Sequence, residues 1–539
     1  MKIIEGIIVD LFQKRKFEGR ILYDETIVKI EECRVSSNQI ILPGFVDAHI
    51  HIESSMLTPY QYSRVALKHG VIASVSDPHE ITNVCGFDGL NYMIKSAEKT
   101  PMKIATGIPS CVPATLFETS GATITSKDVE KLLLSEKFTH LSEMMNFPGV
   151  LYQDAEVLEK ISLAKKYNKP IDGHAPALRG EDLKKYINAG ITTDHECKTL
   201  QEAQEKLDLG MKVLLRQSSA SKDFENLLPL IDNNSDKIMF CTDDCHPDDL
   251  LKGYINLLVK KALDQGYSLF NVLNAASKNP VEHYRLPVGL LREGDSADFI
   301  VIDNLSDFSV INTTINGQTV WDGVSLLIDN LKEEPVNNFF SNEIFIEDLQ
   351  IERTGSEINV IEVIPDSLLT KRAVLKLSDE VFINPKFNED ILKIVVLNRY
   401  QQAKPAVGFI KGFGIKRGAL ASSVAHDSHN IIAVGVDDLS IANAIRNVQQ
   451  VKGGIVVVVD DYEYVLPLPV AGLMSNSDCE TIASLYLQLV EVTRSLGCSL
   501  KSPFMTMAFM ALLVIPELKI GDKGLFDISI FDFVNLQND

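Results

Sequence analysis

Basic side chains are in short supply: 52 Lys and Arg stand against 73 Asp and Glu, a formal net charge of -21. Affinity for nucleic acid is built largely from Lys and Arg neutralising phosphates, so a polyanionic partner is excluded as the main ligand. Cysteine is sparse too, eight residues at 33, 85, 111, 197, 241, 245, 479 and 498, with no C-x-x-C pair. That rules out a stapled scaffold and favours reduced thiols in a cytoplasmic protein. Long apolar runs are missing: the best stretch, Phe504 to Ile515, stops at Pro516, short of the ~20 residues that cross a bilayer. No membrane association is expected, and the opening "MKIIEGIIVDLF" lacks the apolar region and cleavage site of a signal peptide. The glycines of "KGFGIKRGA" and "KGGIVVVV" are not followed by the lysine of a phosphate-binding loop.

What is present is a foldable chain of 539 residues, 45% hydrophobic and 23% charged, long enough for two or three cores. Eight β-rich runs recur between residues 41 and 244: "IILPGFVDAHIHI", "GVIASVSDPHE", "KIATGIPS", "THLSEMMN", "KPIDGHAP", "GITTDHE", "KVLLRQSS" and "KIMFCTDD". Segments such as "DAEVLEKISLAKKYN" separate them with helical spacing. The pattern predicts an α/β fold, a (β/α)8 TIM-like barrel over 41–284. Residues 1–40 and 285–330 are expected to form a small flanking β-sheet domain, and 335–539 a C-terminal α/β or α+β domain.

Polar residues cluster at the C-terminal ends of the predicted strands, where barrels of this kind build their sites. In "PGFVDAHIHIESS" the two-residue period of a strand turns His49 and His51 to the same side. Glu143 ends the fourth run, His174 the fifth, His195 the sixth and Asp243 the eighth. Four imidazoles and two carboxylates at one rim are too many polar groups to bury without a cation. Two ions bridged by Glu143 would use all six: His49, His51 and Asp243 on one, His174 and His195 on the other. Such centres activate water, so the expected chemistry is hydrolytic.

The motifs "PGFVDAHIHIESS", "DPHE", "SEMMNFPGV", "GHAP", "DHE" and "TDDCHPDDL", with "VGLLREGDSADFIVID", "AHDSHNIIAVG" and "PLPVAGLMS" further on, resemble the bacterial and archaeal adenine deaminases of the amidohydrolase superfamily over nearly the whole chain. The resemblance implies hydrolysis of adenine to hypoxanthine and ammonia by a hydroxide that attacks C6 at a binuclear centre. The metals implied are Mn2+ or Fe2+, with Zn2+ ranked behind them. Asp243 is the implied proton shuttle, with Asp244 its rival, and Glu143 the shared ligand. Glu53, Asp77, His79 and Glu80 follow the first two strands, where they would contact the purine or brace the histidines. Glu196 and His246 sit beside ligands and are read as bracing groups. His426, Asp427 and His429 of "AHDSHN" are read as a lid or rim, ahead of a further metal cluster. A homo-oligomer acting on a small purine is expected. Another amidohydrolase acting on a cyclic amide or other C–N bond, or a non-enzymatic metal-binding or assembly protein, stands as an alternative.

Overall fold

The structure, a computed structural model, describes residues 1–219, 221–365, 367–378, 380–385 and 389–539. It divides into two compact units. The first holds Met1–His79, Tyr92–Cys111 and Ile124–Glu333.

Eight parallel strands form the heart of this first unit: Phe45–Ile50, Val71–Ser76, Lys103–Ile108, Phe138–Met144, Ile171–Gly173, Thr193–Asp194, Lys212–Arg216 and Ile238–Cys241. Strands one to five form one continuous ladder and six to eight another. The two ladders meet where Thr192 N–H donates to the carbonyl of Ile171 at 2.9 Å. The ring closes through a parallel bridge between Ile50 and Asp243, with Asp243 N–H donating to the His49 carbonyl at 2.9 Å. Near-continuous burial of these strands is what a parallel sheet covered by helices demands, and Phe45–Ile50 and Val71–Ser76 are buried at every position. Some of the intervening helices start on side-chain caps: Asp154 accepts from Val157 N–H and Thr199 from Glu202 N–H, satisfying donors a helix start leaves open.

A seven-stranded sheet flanks the barrel within this unit. Its order is Gln318–Trp321, Val310–Ile315, Phe299–Ile302, Ile40–Leu42, Lys2–Asp10, Arg15–Tyr23, Ile27–Glu32. Ile8, Ile21, Ile41, Phe299 and Val301 make its core. The boundary expected between residues 40 and 41 is corrected here, because Ile41 and Leu42 pair with Val301 and Ile300 in this sheet. The run "IILPGFVDAHIHI" is therefore two strands. Pro43 cannot donate to a ladder, and at Gly44 a Cβ would meet Ile72 at 2.4 Å, so the chain turns there from one sheet to the next.

The second unit holds Glu80–Asn91, Val112–Thr123 and Glu334–Asp539. A largely antiparallel sheet runs Thr370–Lys376, Glu357–Val363, Ala406–Lys411, Ile391–Leu397, Ile431–Gly435, Ala419–Ser422, Gly454–Val459, Tyr462–Pro467. Helix Asp438–Gln450 covers one face through Ile441, Ala444, Ile445 and Val448. This is an α+β arrangement. The contiguous 335–539 domain expected from the sequence needs correcting, since two earlier segments belong to the same unit. Thr119 N–H donates to Asp522 at 2.9 Å, Asn430 to the Thr119 carbonyl at 2.9 Å, and Asn338 to the Val84 carbonyl at 3.0 Å. Among the described residues no helix is long and apolar enough to cross a membrane.

Candidate active site

The strand ends of the barrel bring all six expected donors together. His49 and His51 face each other, Nε2 to Nε2, at 3.2 Å. Asp243 Oδ1 lies 3.4 Å from the first and 3.1 Å from the second. Glu143 Oε1 is 3.4 Å from His51 Nε2, while its Oε2 is 2.8 Å from His174 Nδ1 and 3.2 Å from His195 Nε2. The rings of His49 and His195 stack at 4.1 Å. Asp243 has a φ of 60°, a left-handed conformation that Asp tolerates better than most residues, so the chain turns sharply just where the carboxylate is presented.

The donors fall into overlapping groups: Glu143 with His174 and His195, His49 with His195 and Asp243, and His51 with Asp77, His79 and Glu143. His79 opens helix His79–Ala97, its Nδ1 3.4 Å from Asp77 Oδ2 and 3.7 Å from Glu143 Oε1. It stands among the donors themselves. Asp77 holds the turn by accepting the His79 backbone N–H at 3.2 Å. Asp244 accepts from Ser54 at 2.6 Å and adjoins His51 and Asp243. Glu53 is buried in the short helix Ile52–Ser55, and His246 precedes helix Pro247–Lys252 with its backbone N–H on Ser219 Oγ at 3.0 Å.

The tautomer of His51 decides what the cluster needs. Its Nδ1–H donates to the Asp77 carbonyl at 3.1 Å, which leaves the Nε2 lone pair facing two carboxylate oxygens and a second imidazole. Lone pairs so opposed in a buried site require a proton or a metal cation between them. The same demand shows in the acid–base balance. Burial alone would lower the His51 pKa, yet Asp243 and Glu143 carry it well above its usual value. Burial lowers His174 as well, but Glu143 and Glu196 raise it to about 9. Burial opposes ionisation of Glu143 and Asp243, but His174 and His195 for the first, and His49, His51 and Arg216 for the second, hold both well below the carboxylate range. Imidazole nitrogens and carboxylate oxygens in this number suit a divalent first-row ion, so the residues fit the cofactor that the sequence implies.

Two cations of the protein itself were missed by sequence reasoning. Arg216 ends the seventh strand, buried, with Nη1 2.9 Å from Asp243 Oδ2 and Nη2 3.2 Å from both Glu196 and Asp223; Nη1 also pairs with Glu196 Oε1. Glu196 thus braces the site through Arg216, its pKa lowered by that guanidinium against the effect of burial. Lys206 is fully buried, pairing with Asp194 and donating to Glu202 at 2.9 Å and to the Ala175 carbonyl at 2.8 Å. It ties together the loops that carry His174 and His195. Asp47 does the same for the first and eighth strands, accepting from His49 and Thr242 N–H at 3.2 Å and from Tyr254 at 2.6 Å.

In the second unit, Glu80, His426 and His429 meet one another. His426 Nδ1 is 2.8 Å from Glu80 Oε1, and His429 Nε2 pairs with Glu80 Oε2. Asp427 is buried beside them.

A barrel with a histidine- and carboxylate-lined rim is the architecture of the amidohydrolase family, whose model matches residues 40–320. The model of the adenine deaminase C-terminal domain matches residues 367–532. The chain is 50% identical to an adenine deaminase of Sulfurovum sp. over 529 residues, 98% of each chain. With an adenine deaminase of Methanosarcina mazei it shares 48% identity over 553 aligned residues, 99% of each. Among solved structures, a D-hydantoinase from Thermus sp. aligns over 61% of this chain and 96% of its own, with a TM-score of 0.46 and 15% identity. The chain belongs to the adenine deaminase family of amidohydrolases.

Proposed function

We propose that this protein hydrolyses adenine to hypoxanthine and ammonia, with His49, His51, Glu143, His174, His195 and Asp243 holding two divalent ions, Mn2+ or Fe2+. The observation that carries the reading is the His51 lone pair aimed at Asp243 and Glu143 in a buried site. Identity near 50% along almost the full length of proteins named adenine deaminase supports the substrate.

When bound, the ions supply positive charge that lowers the pKa of water and polarises the electrophile. The protein's own part is proton handling and orientation. Asp243 Oδ1 is the atom that accepts a proton from the attacking water, while Oδ2 stays fixed on Arg216. The carboxylate cannot swing away, and the proton it holds is returned to the departing amino nitrogen, which leaves as ammonia. Asp244, anchored on Ser54, is less free to serve. Asp77 and His79 brace His51, and Glu196 braces Asp243 through Arg216. All eight cysteines are free thiols, which suits a cytoplasmic enzyme, and we take it to act as a homo-oligomer.

The test is ammonia release from adenine, adenosine, dihydropyrimidines and dipeptides by Mn2+-loaded enzyme. Turnover of adenine with hypoxanthine as the co-product is expected. Activity on adenosine but not adenine, or on a cyclic amide alone, overturns the substrate assignment.

A further inference from the structure

The second unit contains a donor set that the barrel chemistry does not use. We propose that Glu80, His426 and His429 form a divalent-cation site of their own, with a structural role: it fastens segment Glu80–Asn91 to the turn that follows strand Ala419–Ser422.

Three features carry this. First, one oxygen or nitrogen from each of the three side chains lies within 4.8 Å of the others, and all three residues are buried, Glu80 and His429 almost completely. Second, the rings are held in place. His426 stacks on Phe509 at 4.5 Å with an interplanar angle of 14°, and the two imidazoles meet at 61°, so that both present a nitrogen to the same carboxylate. Third, the neighbourhood is rich in buried acid. Asp427, Glu118 and Asp522 are buried in the same unit, and Asp427 Oδ1 stands 3.9 Å from His426 Nδ1, within reach of a shared cation after a small rotation. Two buried imidazoles with one or two carboxylates are a donor set for Zn2+, Fe2+ or Mn2+.

The protein without the cation has a defined alternative. Ala425 N–H donates to His429 Nδ1 at 3.2 Å, which puts that imidazole's proton on Nε2, facing Glu80. Binding a cation moves the proton to Nδ1 and gives up this contact, which is longer than the 2.8 Å pairing of His426 with Glu80.

Crystals of the full chain soaked in MnCl2, with anomalous data collected at the manganese edge, test the site directly without any substitution. A peak is expected among Glu80, His426 and His429, about 2.0–2.3 Å from the donor atoms. In solution, metal analysis of Mn2+-saturated protein is expected to fall by one equivalent per chain in Glu80→Gln and in His429→Asn. Anomalous peaks at the barrel donors with none at this cluster, or unchanged stoichiometry in both variants, overturns the proposal. Its failure is separate from that of the deaminase reading, which is judged by ammonia release.

Discussion

Replacing Arg216 with methionine removes the one guanidinium shared by Asp243, Glu196 and Asp223 while keeping most of the side-chain volume. The Arg216 side chain is only 3% exposed and its three partners between 7% and 14%. Three buried carboxylates would lose the cation they share, and breaking a buried pair from one side costs about 3–5 kcal/mol. The unit that bears it comprises about 300 residues. With an unfolding entropy of ~2.1 cal/mol/K per residue, the loss corresponds to a fall in Tm of about 5–8 °C. Activity should suffer separately. Asp243 loses the contact that fixes Oδ2, and a misplacement on the order of 1 Å at a proton-transfer group costs about 10²-fold in rate. Calorimetry and steady-state kinetics on adenine read the two effects, with kcat falling and KM little changed. Arg216→Lys should recover part of the stability and little of the rate, because a single ammonium cannot reproduce a fork bonded to three carboxylates. An R216M enzyme with wild-type Tm and kcat would refute the assigned role of Arg216.

Asp243→Asn should lower kcat by about 10²–10⁴ with much of the metal retained, measured by adenine turnover alongside metal analysis; undiminished turnover removes Asp243 from proton transfer. His79→Asn should weaken metal binding in the barrel by about 10–100-fold, read by competitive titration against a chelator, because His79 stands 3.4 Å from Asp77 and 3.7 Å from Glu143. Lys519 gives a pH prediction. Burial lowers its pKa from 10.5 to about 7, with Nζ donating to the Leu368 and Phe509 carbonyls at 2.8 and 3.0 Å. Below pH 7 the charge is present in both states and its burial penalty is fully felt. Between pH 7 and 10.5 only the unfolded chain is protonated, so stability rises with pH by up to about 1.4 kcal/mol per unit. The Tm difference between Lys519→Met and wild type should therefore shift in favour of wild type from pH 6 to pH 9; a constant difference contradicts the assignment.

The barrel was legible because its signals are local. A strand's two-residue period is enough to pair His49 with His51, and apolar runs ending in polar residues mark the rim whatever the loops between them do. Where the sequence misled, two elements were fused or a long-range partner was invisible. Nothing in "IILPGFVDAHIHI" says that its first three residues pair with Phe299–Ile302, except the Pro-Gly break itself. Arg216 ends the seventh strand as Asp243 follows the eighth, and a lone cation at the end of an apolar run was the available signal. Lys206 is harder: helix Leu200–Asp208 is amphipathic, and a lysine there reads as solvated until Asp194, twelve residues earlier, is found beneath it.

The "DPHE" motif shows why residue type locates a site sooner than it assigns a role. Read as letters, Asp77, His79 and Glu80 form one acidic–imidazole group after the second strand. In the structure helix His79–Ala97 begins within it, and successive helical residues point about 100° apart. One peptide bond therefore separates a histidine that joins Asp77, His51 and Glu143 from a glutamate that joins His426 and His429. The register of the helix start, fixed by the Asp77 carboxylate on the His79 N–H, decides which side chain goes where. Inserting a single residue between Asp77 and His79 would turn His79 away from the partners it meets in the barrel, Asp77, His51 and Glu143.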